Sequence, residues 1–166
     1  MKLISNSSRS KKWWVIPITL LIAFCFFAVP TGGSLNSYNP DWISLVLIYW
    51  CFAVPKKIGL LPAWLIGLFL DVVSFGTLGR YALSKLVLVF FADRLALRVR
   101  MFPVWQQSFI VLILLIGETV LLMFIGIIIG DIDFSSNRWI AVLIAAFLWP
   151  VIYIILRRVR QWARLP

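Results

Sequence analysis

The chain has 166 residues, 63% of them hydrophobic and only 13% charged, with a mean hydropathy of +1.01, so water is excluded as its main solvent. Its net charge of +10 would suggest nucleic acid in a soluble protein. Here the basic residues flank apolar runs, where anionic lipid headgroups and membrane topology account for them, and a nucleic-acid partner is not expected. A spanning helix takes about 20 apolar residues, so six spans leave room only for short connections. The expectation is one all-α integral membrane domain over 1–166, a six-transmembrane-helix bundle.

In chain order, the polar, basic N-terminus leads directly into a first span, 13–30. This is also the layout of a signal sequence, but Ala28-Val29-Pro30-Thr31 is no small-x-small cleavage site, and an uncleaved helix is expected. Pro40-Asp41-Trp42 opens the second span, 41–54, which stops at Pro55-Lys56-Lys57 and is short for a bilayer. The third, 58–75, is joined to the fourth, 81–97, by the tight turn Gly76-Thr77-Leu78-Gly79-Arg80. The fourth loses its apolar character at Asp93-Arg94, and Pro103 marks the break before the fifth, 105–130. A polar loop from Asp131 to Arg138 precedes the sixth, 139–156, and a basic tail follows.

Six spans put both termini on one side. Lys2, Arg9, Lys11, Lys12, Lys56, Lys57, Arg94, Arg98, Arg100, Arg157, Arg158, Arg160 and Arg164 all fall on that face, thirteen of the sixteen basic residues. Arg80 and Arg138 fall on the other, together with Asp41, Asp131 and Asp133. The positive-inside rule then predicts cytoplasmic termini. Trp13, Trp14, Trp42, Trp105, Trp139 and Trp162 stand at span ends, where amphipathic rings meet headgroups.

Charged groups are costly in hydrocarbon, so Asp71, Lys85, Glu118 and the neighbouring Arg80 are the intramembrane polar candidates. Asp71 lies one tight turn from Arg80 and Lys85. It can form an ion pair with them, be satisfied by backbone groups of the turn, or serve a ligand or proton. Glu118 sits halfway along the fifth span. It suits an interhelical hydrogen bond, or else a contact with a partner's helix or a lipid headgroup.

Gly59, Ala63, Gly67 and Asp71 recur every four residues and set small side chains along one stripe of the third span; Gly126 and Gly130 repeat the spacing. These are helix-packing candidates, and the neighbour can be internal or a second copy, so a homodimer is open. From Arg94 to Gln107, arginines alternate with Leu95, Leu97, Val99, Met101 and Phe102, a pattern that can lie along cytoplasmic headgroups. Arg94, Arg98, Arg100 and Trp105 there, with Arg157, Arg158 and Arg160 in the tail, are candidates for lipid or partner contact. Cys25 and Cys51 lie inside apolar runs and read as small packing residues.

With no histidine and no cysteine or carboxylate cluster, the usual metal sites and the Ser-His-Asp and Cys-His systems cannot be built, and no Gly-rich phosphate loop is present. Neither an enzyme nor a cofactor is expected.

Several strings in order resemble a known family. Pro40-Asp41-Trp42 leads to Leu47-Ile48-Tyr49-Trp50 and Ala53-Val54-Pro55. Gly67 and Asp71 precede Gly76 and Leu78-Gly79. Trp105-Gln106-Gln107 follows, then Leu148-Trp149-Pro150 and Arg157-Arg158-Val159-Arg160-Gln161. Over nearly the whole chain this is similar to the bacterial MreD family of rod shape-determining proteins. The resemblance implies a small inner-membrane subunit of the elongation machinery. It implies that the subunit binds MreC and works with MreB, RodA and its penicillin-binding transpeptidase in lateral peptidoglycan synthesis. It also implies a bundle similar to the substrate-binding subunits of energy-coupling-factor transporters. Asp71 with its glycines, Trp105 to Gln107 and Trp149-Pro150 carry the family pattern, whereas Lys85 lies outside it. Two functions are therefore expected in contest. One is a non-enzymatic scaffold for other membrane proteins, its basic face attracting anionic lipids. The alternative is a small-molecule or lipid-binding subunit, which needs a cavity lined by Asp71, Lys85 or Glu118.

Overall fold

Apolar runs wind into helices because a backbone without water can satisfy its N–H and C=O groups only within its own segment. A computed structural model describes residues 12–28, 39–54, 59–74, 77–130 and 137–164. Among them the helices are α1 (Val15–Ala28), α2 (Trp42–Ala53), α3 (Leu60–Val73), α4 (Arg80–Val99), α5 (Val104–Ile129) and α6 (Asn137–Ala163), and there is no strand. Lys2, Arg9, Lys11, Lys56, Lys57, Asp131 and Asp133 lie outside the described residues.

Two of these helices, α5 and α6, are long and apolar enough to cross a membrane by themselves. The others differ for identifiable reasons. Helix α4 has 20 residues but five charges, and α1, α2 and α3 are apolar but have 14, 12 and 14 residues. At about 1.5 Å per residue, α2 is some 18 Å long, well short of a hydrocarbon core of ~30 Å.

The shortness of α2 goes with its place. Every residue from Ile43 to Ala53 is buried, the mark of a helix that is apolar all round and enclosed by others. It packs against α1, α4, α5 and α6, while α3 stands outside, laid along α4 in the most extensive helix pair. Trp50, Trp149 and Tyr49 are the largest fully buried side chains at the centre. The indole of Trp50 donates to Thr19 Oγ1 at 2.9 Å, tying α2 to α1.

The α3 stripe is used in part. Ala63 and Asp71 are enclosed, and Gly67 meets the start of α4 so closely that a Cβ there would lie 2.6 Å from Tyr81 O and 2.7 Å from Ala82 N. Gly59 is exposed at the N-cap of α3, where an added Cβ would meet only Pro62. Gly126 is buried, but Gly130 is exposed with a φ of +82° and ends α5, a left-handed cap and not a packing surface.

Two basic segments are also placed differently from expectation. The arginines after residue 93 do not begin a separate segment. Ala92, Ala96 and Val99 continue the buried face of α4, so the helix carries through Arg98 and the chain breaks only at 100–103. Likewise α6 runs on through Arg157, Arg158 and Arg160 to Ala163, passing Pro150 inside the helix. Its last residues meet the start of α1. The N–H of Lys12 donates to Ala163 O at 3.3 Å, the Lys12 ammonium lies 3.9 Å from the Trp162 ring centroid, and Trp162 stands edge-on to Trp14.

Candidate functional site

Asp41 caps α2, its Oδ1 accepting from the Ser44 N–H at 3.1 Å. The cap leaves Oδ2 pointing to the centre of the bundle, where Lys85 arrives from α4. Lys85 is fully buried, so each of its three N–H groups needs an acceptor. One goes to Asp41 Oδ2, one to Ser44 Oγ at 2.6 Å and one to Glu118 Oε1 at 2.7 Å. Glu118 on α5 also accepts from Ser84 Oγ at 3.1 Å through Oε1 and from Ser44 Oγ at 2.7 Å through Oε2. One ammonium, two carboxylates and two hydroxyls thus link α2, α4 and α5 with every Lys85 proton and every Ser44 and Ser84 oxygen engaged.

Asp71 does not join this network. Buried at the end of α3, it accepts from the backbone N–H groups of Gly79 at 2.9 Å, Tyr81 at 2.7 Å and Ala82 at 3.2 Å. This is the backbone-satisfied arrangement of the readings left open, and Lys85 has no donor left for an Asp71 pair. The start of α4 has unsatisfied N–H groups and the positive end of its dipole. Gly79, the N-cap with a φ of +101°, has no side chain to meet them. The carboxylate of α3 does so instead, which explains why α3 and α4 lie so close at Gly67. Arg80 is half-buried beside it.

Above the network opens a cavity of about 390 Å³. Asp41 and Glu118 line it, with Asn39, Tyr81, Thr119 and Arg138, so it carries charge of both signs. Of the three residues expected to line such a cavity, Glu118 does, while Asp71 and Lys85 are covered. Among the described residues, no three His, Cys, Asp or Glu side chains gather as a metal site.

The remaining candidates are spread over the surface. Arg94 is exposed over the Phe90 ring, 5.3 Å from its centroid, and Arg98, Trp105, Arg157 and Arg158 are exposed. Arg100, exposed over much of its surface, and the half-buried Arg160 instead reach the end of α2, donating to Ala53 O at 3.1 and 3.5 Å. Sequence reasoning missed Asp41, Ser44 and Ser84 as site residues. The signal for Asp41 was an Asp-x-x-Ser step opening an apolar helix, which reads as a cap and says nothing of the second oxygen.

A separate, apolar groove of about 740 Å³ lies between α1 and α3, with Ile43 of α2 at its floor. Phe24 and Phe69 touch across it with ring centroids 4.9 Å apart, and Cys25 is free and exposed on its wall.

Comparison with known proteins adds to this geometry. The family described as rod shape-determining protein MreD matches residues 8–159. The rod shape-determining protein MreD of Haemophilus influenzae is 25% identical over 154 residues, covering 93% of this chain and 95% of the relative. No solved structure matches.

Proposed function

Because this chain belongs to the family of rod shape-determining protein MreD, we propose that it is a non-catalytic scaffold of the bacterial elongation complex. In this reading it binds MreC in the inner membrane and supports lateral peptidoglycan synthesis alongside MreB, RodA and the transpeptidase. Its coarser character, a helical bacterial membrane protein with a rod shape-determining role, follows from the family and the apolar helices.

The observation that carries the scaffold reading is the division between inside and outside. Lys85 and Glu118, the charges deepest in the bundle, pair with each other and with Asp41, while large apolar side chains such as Leu61, Phe69, Phe109, Phe124 and Phe147 face outward. Such a surface suits lipid and other transmembrane helices, with association driven by packing. The bundle reading adds six spans with both termini in the cytoplasm. The contact between Lys12 and Ala163, at the ends of the first and last helices, supports one side for both. Kinship with energy-coupling-factor subunits belongs to the same proposal.

The α1–α3 groove is the surface we assign to MreC. In a Cys51→Ala background, MreC is expected to co-purify after mild detergent extraction and to cross-link through the native Cys25, and, once Cys25 is also replaced by alanine, through Leu65→Cys. It should not cross-link through Phe147→Cys, on the far face of α6. Loss of co-purification would remove the scaffold reading, and equal cross-linking from Phe147→Cys would remove the groove.

A second reading rests on the cavity beside Asp41 and Glu118, which suits a small polar ligand or a lipid headgroup. If the scaffold reading holds, adding a soluble wall precursor leaves the thermal-unfolding midpoint of the purified protein unchanged. A rise of several degrees that Arg138→Gln abolishes would make the ligand-binding reading the correct one.

A further inference from the structure

At the end of the bundle opposite this cavity, the last turns of α2, α4 and α6 and the first of α5 enclose a pocket of about 160 Å³, lined by Tyr49, Phe52, Arg100, Gln107, Tyr153 and Arg160. At ~30 Å³ per water, that is about five waters' worth of space. Two guanidinium groups converge on it from different helices. Each gives a single N–H to the same carbonyl, Ala53 O. That bond caps the C-terminal end of α2, a familiar task for arginine. One arginine would suffice, and each guanidinium has five donors in a planar fork.

The pocket contains two further polar atoms without a partner among the described residues. Tyr49 is 1% exposed and Gln107 4% exposed, yet the Tyr49 hydroxyl and Gln107 Oε1 accept or donate no hydrogen bond there. Buried polar atoms without partners are costly and rare, and each calls for an occupant. Gln107 is held with this oxygen free, because its Nε2 is engaged by Val99 O at 3.2 Å and Phe102 O at 3.0 Å. The donors left over are two guanidinium forks and a phenol; the acceptor left over is one amide oxygen.

We propose that this pocket binds a phosphate group, as the headgroup of an anionic glycerophospholipid such as phosphatidylglycerol. The phosphodiester oxygens accept from Arg100, Arg160 and the Tyr49 hydroxyl, a charge-assisted arrangement that arginine forks favour. A glycerol hydroxyl donates to Gln107 Oε1. This site is distinct from diffuse attraction between basic tails and headgroups, because it sits between helices and joins their ends. It is independent of the scaffold reading, since it needs no protein partner.

The test uses delipidated full-length protein in neutral detergent, with the thermal-unfolding midpoint followed as phosphatidylglycerol, phosphatidylcholine or inorganic phosphate is added. Phosphatidylglycerol is expected to stabilise the protein and phosphatidylcholine to do so far less. The pair Arg100→Gln/Arg160→Gln should weaken the apparent affinity for phosphatidylglycerol about tenfold relative to Arg98→Gln/Arg158→Gln, which removes the same charge from exposed positions. Tyr49→Phe keeps the ring and should weaken it several-fold, which decides the matter if the arginine pair fails to fold. Stabilisation by inorganic phosphate, lost in the same variants, upholds the phosphate site with the free anion as its occupant. Equal losses in the two arginine pairs, or a Tyr49→Phe variant indistinguishable from the parent, would overturn it.

Discussion

Replacing Lys85 by methionine is expected to lower the thermal-unfolding midpoint in mild detergent by roughly 10 °C, the largest effect of any single substitution in the bundle. Methionine fills similar space, so the loss is electrostatic. The ammonium holds Asp41, Ser44 and Glu118 together from three donors. Without it, Glu118 remains 6% exposed with its charge uncompensated. Breaking a buried pair by removing one partner typically costs about 3–5 kcal/mol, because the other charge is left in low dielectric. Combining Lys85→Met with Glu118→Gln should recover much of the loss, since the amide oxygen still accepts from Ser84 and the stranded charge is gone. A coupling of about 2 kcal/mol or more between the two sites is expected from such a cycle. Additive effects, or a Lys85→Met protein as stable as the parent, would show that the network does not hold α2, α4 and α5 together. In cells the single variant should lose rod shape and the double variant regain it in part.

Asp71→Ala is expected to destabilise the junction of α3 and α4 by about 3 kcal/mol, the combined loss of a charged cap and the stranding of buried N–H groups. The three donors from Gly79, Tyr81 and Ala82 have no other acceptor within the described residues. Asp71→Asn should cost less than alanine, since its oxygen still accepts, but its amide turns a donor toward other donors. The measurement that separates capping from a ligand role is hydrogen exchange. Amides 79–83 should exchange faster in Asp71→Ala, with α5 and α6 unchanged. Unaltered exchange at 79–83 would refute the cap. Because Lys85 lies little more than one turn into α4, the helix whose start Asp71 caps from α3, fraying there would also loosen the lysine network, and the two largest effects are linked through α4.

Much of the candidate site was legible in the sequence because charge inside an apolar run has so few stable options. Lys85, Glu118 and Asp71 were conspicuous by cost alone, and a backbone-satisfied Asp71 was one of the arrangements a tight turn allows. The partnership of Lys85 with Asp41 was not legible, since 44 positions separate them and Asp41 already has a sufficient local role as a cap. Residues with two roles hide the second one. The arginines divide in the same way: Arg98 and Arg100 look alike in the sequence and both are exposed, yet only Arg100 bonds the end of α2, a distinction set by where neighbouring helices stop.

Composition and hydrophobic runs by themselves determined the solvent and the helical class, because these depend on local transfer and backbone energies that every residue carries with it. Which glycine packs and which merely ends a helix depended on what stood opposite: Gly67 meets the backbone of α4, whereas Gly59 meets only Pro62 of its own helix and Gly130 forms a left-handed turn. The placing of short α2 at the centre, the closure of Lys85 between two carboxylates and the convergence of Arg100 and Arg160 on Ala53 O were decided by tertiary structure alone. Each is a pairing between distant segments, and its energy exists only when the helices have met.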